Sequence, residues 1–155
     1  MSNLKQQIES DVKSAMREKD KLRLSTLRML TAALKQSKVD GPPDQRDQEL
    51  TDTQILTVVQ KMIKERRDSS EQFLKGGAPD RAQREDHEIE ILKQYMPEPL
   101  SDDALVAEIN RIIALVEASS IRDMGRVMQA LKISLAGRAD MNEVSQRVKS
   151  LLSVQ

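Results

Sequence analysis

Apolar residues recur at three- and four-residue steps along most of the chain, which is the spacing of one face of an α-helix. Seven stretches show this pattern, four longer ones followed by three shorter ones. In the first four, the predicted buried faces comprise Leu4, Ile8, Val12, Ala15 and Met16; Leu24, Leu27, Leu30 and Leu34, with Met29 and Ala33; Ile55, Val59, Met62, Ile63, Phe73 and Leu74; and Ala82, Ile89, Leu92 and Met96. In the last three they comprise Leu105, Ile109, Ile112, Ile113 and Val116; Met124, Val127, Met128 and Leu131; and Val144, Val148 and Leu151. The pattern predicts an all-helical protein.

Residues that cap or break helices fall at the ends of these stretches. Thr51 and Gln54 form a capping box for the third helix, and Pro79 suits the first turn of the fourth. Further predicted caps are Asp20, Ser101, Ser120 with Asp123, and Asp140 with Glu143. The glycine pair that begins at Gly76, and Gly137 further on, are predicted helix stops.

The strongest break in the chain is Pro97-Glu98-Pro99, because neither a proline nor the residue before it continues a helix comfortably. We therefore predict an all-α fold with a four-helix N-terminal domain, residues 1–99, and a three-helix C-terminal tail domain, residues 100–155. A segment without apolar periodicity, residues 40–49, carries two prolines and predicts a surface loop.

The composition excludes several kinds of site and several classes of protein. The 155 residues include one Phe, one Tyr, no Trp and no Cys, and 25 Lys and Arg balance 25 Asp and Glu. Disulfides and cysteine metal sites are excluded, and no apolar stretch has the length of a membrane span or the form of a signal peptide. These observations predict a soluble, cytoplasmic protein with no membrane partner.

Charge is unevenly distributed although its total is zero. Residues 1–40 carry nine Lys and Arg against five Asp and Glu, whereas residues 41–100 carry nine against thirteen. Residues 122–152 of the tail contain a local basic surplus, because six cations there face only Asp123, Asp140 and Glu143. The six candidate RNA-binding residues are Arg122, Arg126, Lys132, Arg138, Arg147 and Lys149.

We predict that these six side chains lack acids at matching helical spacing. The pattern leaves two interpretations open, contact with phosphate or plain solvation. Neither aromatic residue lies in the tail, so an RNA contact there would depend on backbone shape and charge rather than on stacking.

Other charged clusters have plainer interpretations. His87, the single histidine, lies beside Asp86 and Glu90; a metal site needs more converging ligands, so a solvated helix face is predicted. The basic run Lys61, Lys64, Arg66 and Arg67 has acids four residues on from three of its members, which is also typical of a solvated face.

Two arginines, Arg23 and Arg28, flank core positions in the second helix. They are predicted to pair with acids of the fourth helix such as Glu85, Glu88 or Glu90, since arginine suits bidentate pairing. A binding pair is the alternative.

The sequence contains no recognisable catalytic constellation. Gly76-Gly77 lacks the Lys-Ser/Thr of a phosphate-binding loop, and His87 lies far from any nucleophile elbow. We expect no metal and no cofactor, and the residues alone leave enzyme activity undecided.

Several segments together carry a resemblance that runs nearly end to end. They are Arg23-Leu24-Ser25-Thr26-Leu27-Arg28-Met29-Leu30, Glu71-Gln72-Phe73, Glu88 through Ile91-Leu92, Tyr95-Met96-Pro97, Asp123-Met124-Gly125-Arg126-Val127-Met128 and Gly137-Arg138-Ala139-Asp140. With these segments the chain resembles the GatB/YqeY domain family, in particular its small stand-alone YqeY-like members. One departure is Met141-Asn142, where the family often has Gly-Lys, so a positive charge is absent near the corner.

The resemblance implies a helical amino-terminal domain followed by a three-helix tail. A similar region closes the B subunit of the tRNA-dependent amidotransferase, a carbon–nitrogen ligase with glutamine as amido donor, whose tail faces the tRNA while its chemistry resides elsewhere. The resemblance therefore implies a tRNA-associated accessory module without its own catalytic site. Its implied partners are tRNA and an aminoacyl-tRNA synthetase or amidotransferase component. The alternatives are a protein-interaction adaptor on a translation-related enzyme and a subunit that adds residues to another protein's site.

Overall fold

A computed structural model describes residues 3–153, and all regular structure within them is helical. The helices are α1, Asn3–Arg17; α2, Lys21–Asp40; α3, Asp52–Lys75; α4, Pro79–Lys93; α5, Asp102–Leu115; α6, Met124–Ser134; and α7, Met141–Ser153. Two short 3-10 turns, Pro43–Gln45 and Ile121–Asp123, precede α3 and α6. The prediction of an all-helical protein is confirmed over the described residues.

Local capping chemistry sets where several helices begin and end. The backbone N–H of Gln54 donates to the Thr51 hydroxyl (3.2 Å), and the Thr51 N–H donates to the Gln54 side chain (2.9 Å), forming the predicted capping box. Asp20 and Ser101 each accept from the N–H three residues on. Gly77 has a φ of +76°, a conformation that side chains rarely adopt, and it follows the last residue of α3 by two positions. These predicted starts and this stop are confirmed.

The chain divides between Met96 and Pro97 into two compact units, the first with α1 to α4 and the second with α5 to α7. Each unit has its own buried apolar core. The first core contains Ile8, Ala15, Leu27, Leu30, Ile55, Val59, Met62, Ile63, Ile89, Leu92 and Tyr95. The second contains Leu105, Ile109, Ile112, Ile113, Val127, Leu131, Leu135, Val144, Val148 and Leu152.

Some predicted core residues are exposed. Met16 and Leu74 are 52% and 59% exposed. Both lie in the last turn of their helices, where apolar residues still recur at helical spacing although the helix is no longer buried there. In contrast, Ser70 is buried, and its hydroxyl donates to the carboxylate of Asp86 at 2.8 Å. This partly buried polar contact joins α3 to α4, and Asp86 itself is exposed.

A buried ion pair between Arg66 of α3 and Glu88 of α4 lies beside that contact. The Arg66 Nε is 3.0 Å from the Glu88 Oε2, and the two side chains are 13% and 8% exposed. The remaining Arg66 nitrogens donate to the Met62 carbonyl oxygen (3.2 Å) and the Met29 sulfur (3.5 Å). The prediction that Arg66 belongs to a solvated basic run is therefore wrong.

Arg23 pairs within the first unit, but with different acids from those predicted. Its guanidinium lies 3.5 Å from Asp11 of α1 and 3.5 Å from Glu18, while Glu88 is taken by Arg66. Asp11 also accepts a hydrogen bond from the Tyr95 hydroxyl at 2.6 Å, and burial together with this bond raises the pKa of Tyr95. Asp11 thus connects α1 to α2 and to the segment after α4.

Removing one partner of the buried pair is expected to destabilise the first unit. Arg66→Met leaves the Glu88 carboxylate buried beside only the more distant Arg84, at 4.0 Å, so the free energy of unfolding should fall by about 3 to 5 kcal/mol. Urea denaturation followed by circular dichroism measures this. The double variant Arg66→Met/Glu88→Leu should regain much of the loss.

The matched control is Lys61→Met, which removes the partner of Glu65 in an exposed pair at 4.0 Å. Its free energy of unfolding should change by less than about 1 kcal/mol. A loss as large as that of Arg66→Met, or a double variant no more stable than the single, would contradict the expectation.

Candidate nucleic-acid interface

The six basic residues predicted to contact RNA all lie in the second unit. Their positions are Arg122 in the 3-10 turn Ile121–Asp123, Arg126 and Lys132 in α6, Arg138 between α6 and α7, and Arg147 and Lys149 in α7. All are exposed except Arg147, which is half-buried. Some of these side chains form ion pairs or hydrogen bonds within the second unit, and others do not.

Arg126 holds the start of α6 in place. Its guanidinium donates to the Asp123 carboxylate (2.8 Å) and to the Val116 carbonyl oxygen (3.0 Å). Asp123 also accepts from the backbone N–H groups of Ser119 (2.8 Å) and Ser120 (3.2 Å). Hydrogen bonds from Ser119, Arg126 and Ser120 lower the pKa of Asp123 to about 2. Arg126 is therefore part of a capping network.

Arg147 joins two helices of the second unit. Its Nη2 lies 2.9 Å from Glu143, one turn earlier in α7, and 3.2 Å from Asp102 at the start of α5. The prediction that the basic residues lack acids at matching spacing is wrong for Arg126 and Arg147. The signal was present in the sequence, since Asp123 precedes Arg126 by three positions and Glu143 precedes Arg147 by four.

Arg138 fixes the corner between α6 and α7. Its Nε donates to the Glu98 carbonyl oxygen (3.1 Å), and its own carbonyl oxygen accepts from the Leu100 N–H (3.0 Å). Gly137 beside it has a φ of +75°, the left-handed conformation that favours glycine. A carbonyl oxygen carries no formal charge, so the Arg138 guanidinium is oriented without being neutralised.

Four of the six cations, Arg122, Lys132, Arg138 and Lys149, are exposed and form no ion pair within residues 3–153, and of these Arg138 is bound to the Glu98 carbonyl oxygen. They do not belong to one continuous helix face. Arg122 lies in the 3-10 turn Ile121–Asp123, Lys132 in α6 and Lys149 in α7. The structure thus leaves dispersed charges on the second unit, while two of the six candidate residues, Arg126 and Arg147, are paired with acids.

A second charged surface, which the sequence analysis did not single out, lies in the first unit. It is an open depression of about 580 Å³ between α2, α3 and α4, and its lining includes Phe73, Arg81 and Glu85. The available signal was the spacing of Arg81 and Glu85, one helical turn apart.

Over the described part of the chain, residues 3–153, no group of three or more His, Asp or Glu side chains is arranged to hold a metal ion. His87 is exposed on α4. Within the same range, none of the helices combines the length and apolar character needed to cross a bilayer.

Residues 5–152 match the family described as Yqey-like protein. The chain belongs to the YqeY-like protein family. Among curated relatives, "Altered inheritance of mitochondria protein 41, mitochondrial" of Lachancea thermotolerans is 32% identical over 115 residues, 73% of this chain and 59% of the relative. The protein of that name in Eremothecium gossypii is 33% identical over 57% of this chain and 46% of the relative. That of Pyrenophora tritici-repentis is 26% identical over 96% of this chain and 80% of the relative.

The family match confirms the resemblance drawn from the sequence. The chain spans about half the length of the first two of these relatives. The prediction of a cytoplasmic location is contradicted by these similarities, because the relatives are named as mitochondrial proteins. That prediction rested on the absence of cysteine and of an apolar stretch with the form of a signal peptide or membrane span, and these absences carry no information about other targeting signals.

The capping network around Asp123 predicts that the stability of the second unit depends on pH. The folded-state pKa of Asp123 lies near 2, below its ordinary value of 3.8, so its ionised form stabilises the folded second unit above pH 3.8. This contribution is lost as the pH falls through about 2. In an NMR titration, the Asp123 carboxyl should therefore show a midpoint near 2.

The variant Asp123→Asn should be less stable than the native chain at pH 7, and the difference should shrink as the pH falls from 3.8 towards 2. Hydrogen exchange of α6 amides measures it. Asp103→Asn, at an exposed acid in the first turn of α5, is the control. A midpoint for Asp123 at 3.8 would contradict the network's effect.

Proposed function

We propose that this YqeY-like protein is a tRNA-associated accessory module whose second unit contacts the RNA sugar–phosphate backbone. The observation that supports this most directly is the exposure of Arg122, Lys132 and Lys149, which have no ion-pair partner within residues 3–153. Unneutralised cations can displace the counterions condensed on RNA, which is the main source of affinity in backbone contacts. Arg138 adds an oriented guanidinium that is bound only to a carbonyl oxygen.

The proposed contact depends on charge and shape. Phe73 and Tyr95, the two aromatic residues of the chain, precede the second unit, so that unit has no ring on which an unpaired base could stack. Backbone recognition of this kind distinguishes folded RNA by the spacing of its phosphates. The expected partner is therefore a folded tRNA, with little preference for particular bases.

The proposal includes a division of labour between a four-helix N-terminal domain, residues 1–99, and a three-helix tail domain, residues 100–155. The separate buried cores of the two units support this division. The module would act beside a carbon–nitrogen ligase that uses glutamine as amido donor, or beside an aminoacyl-tRNA synthetase, and leave the reaction to that enzyme.

Titration of folded tRNA at two salt concentrations tests the proposal. The triple variant Arg122→Gln/Lys132→Gln/Lys149→Gln should bind more weakly. Its plot of log affinity against log salt should be shallower by about 2 to 3, since each lost phosphate contact reduces the slope by about 1.

The control variant is Lys13→Gln/Lys64→Gln/Lys75→Gln, which removes the same charge from exposed positions of the first unit. It should bind tRNA like the native chain, and unrelated duplex RNA should bind more weakly than tRNA. Equal weakening by both triple variants, or no salt-dependent binding, would contradict the proposal.

A second candidate function, a protein-interaction adaptor, is favoured by apolar exposure on the same unit. Leu115 and Ile133 are each 67% exposed, and Ile121 is exposed as well. A contiguous patch of exposed apolar side chains is typical of surfaces that a partner covers, and the adaptor function requires these three residues to belong to such a patch. The proposed partner is an amidotransferase or aminoacyl-tRNA synthetase component.

Co-purification with such an enzyme after nuclease treatment separates the two functions. If the adaptor function holds, Leu115→Ser/Ile133→Ser should abolish the association and the basic triple variant should retain it. Val39→Ser/Leu74→Ser, at two exposed apolar positions of the first unit, is the matched control. Loss of the association on nuclease treatment alone would instead favour the RNA contact.

A further inference from the structure

The depression in the first unit has one side formed by the buried ion pair already described. The rest of its lining comprises Ser25 and Met29 of α2, Glu65, Ser69 and Phe73 of α3, and Arg81, Arg84 and Glu85 of α4. Its volume of about 580 Å³ lies within the range of about 300 to 1,000 Å³ that small-molecule sites occupy. The surface is both charged and apolar.

Most of the charges around the depression have partners within the protein. Glu88 lies 3.0 Å from Arg66 and 4.0 Å from Arg84, and Glu65 lies 4.0 Å from Lys61. These contacts account for two of the three carboxylates and two of the three guanidinium groups that line the depression.

One guanidinium and one carboxylate remain, those of Arg81 and Glu85. Neither forms an ion pair in the part of the chain that the structure describes, although the two residues are one turn apart on α4. The Arg81 guanidinium lies 5.9 Å from the centre of the Phe73 ring, which orients it across the depression wall. Burial raises the pKa of Glu85, as expected for a carboxylate that is partly desolvated without a contacting cation.

We propose that this depression binds a small zwitterion of the α-amino acid class, with its carboxylate on Arg81 and its ammonium group on Glu85. Side chains one helical turn apart have Cβ atoms about 6 Å from each other, which leaves room for a ligand whose ammonium and carboxylate groups are attached to the same carbon. A guanidinium binds a carboxylate in a bidentate manner, and a carboxylate accepts well from an ammonium group.

Two further features fit this ligand. Within residues 3–153 the Arg66 Nη2 donates to the Met29 thioether alone, at 3.5 Å, and this weak acceptor is one that a ligand carboxylate oxygen would replace. Met29 and Phe73 provide an apolar surface for the ligand's side chain. The site therefore offers a guanidinium for the ligand's carboxylate, a carboxylate for its ammonium group and an apolar surface for its side chain.

The charge balance disfavours a nucleotide in the same place. Three glutamates among the lining residues balance three arginines, so a ligand with two or more negative charges would find no net positive charge to offset its own. A net-neutral ligand with separated charges matches a net-neutral surface. The proposal is independent of RNA binding by the second unit.

The test is a two-dimensional NMR titration of the full chain with leucine and glutamine as probes. Acetate and methylammonium, which each carry one of the two charges, and adenosine monophosphate serve as comparison ligands. Both amino acids should shift amides of α3 and α4 around the depression in a saturable way. Each single-charge ligand should bind at least about tenfold more weakly, which corresponds to about 1.4 kcal/mol.

Two variants test separately the contact with the ligand's carboxylate and the contact with its ammonium group. Glu85→Gln and Arg81→Gln should each weaken amino acid binding by about tenfold or more, and Glu85→Gln should leave the affinity for acetate unchanged or raise it, because the variant removes a negative charge beside Arg81. Glu90→Gln and Arg67→Gln, at exposed positions outside the depression, are the controls and should bind like the native chain. Circular dichroism confirms that the variants remain folded.

Three results would overturn the proposal. The first is an absence of saturable shifts with either amino acid. The second is acetate binding as tightly as leucine, which would show an anion site only. The third is adenosine monophosphate binding more tightly than the amino acids.

Discussion

The contact between α3 and α4 depends on charges that have been withdrawn from water. Burying a carboxylate and a guanidinium is costly, and the cost is offset only when both groups are paired and hydrogen-bonded. Arg66 meets this requirement through Glu88 and the Met62 carbonyl oxygen, and Ser70 with Asp86 adds a second polar contact between the same helices. A slide of one helix by a turn would separate all of these groups. The pair therefore specifies the register of α3 and α4 more than it adds stability.

Charged residues of the second unit have a different structural role. They act at helix ends and corners, where backbone groups lack helical partners. Asp123 accepts from two such N–H groups and from Arg126, while Arg138 binds the carbonyl of Glu98. Part of the basic surplus of the sequence is therefore taken up by contacts within the second unit. The cations without such a contact among residues 3–153 are the smaller set Arg122, Lys132 and Lys149.

The elements most accurately predicted from sequence were those whose cause is local. Thr51 with Gln54, Asp20 and Gly77 act within a few residues of themselves, so their types and spacing define helix ends. Contacts between distant positions were not predictable in this way. The partner of Arg66 lies 22 residues away, and packing selects it among several acids of α4 that the sequence offers equally well.

In the candidate sites, too, local features could be predicted from the sequence and contacts between distant residues could not. Exposure of Arg122, Lys132 and Lys149 followed from their positions outside the apolar faces. The pairing of Arg126 with Asp123 was available from the spacing and was missed, because the six charges were counted as a group. The depression at Arg81 and Glu85 required coordinates, since it is formed where three helices meet and the sequence does not show which side chains of α2 and α3 lie opposite α4.

The position of the single tyrosine has a practical consequence for optical work. The chain has no tryptophan, and Tyr95 is buried in the core of the first unit with its hydroxyl on Asp11. Near-ultraviolet absorbance and intrinsic fluorescence therefore originate almost entirely from that unit. A melting curve recorded at tyrosine wavelengths follows the first unit alone, and unfolding of the second unit would pass without a signal.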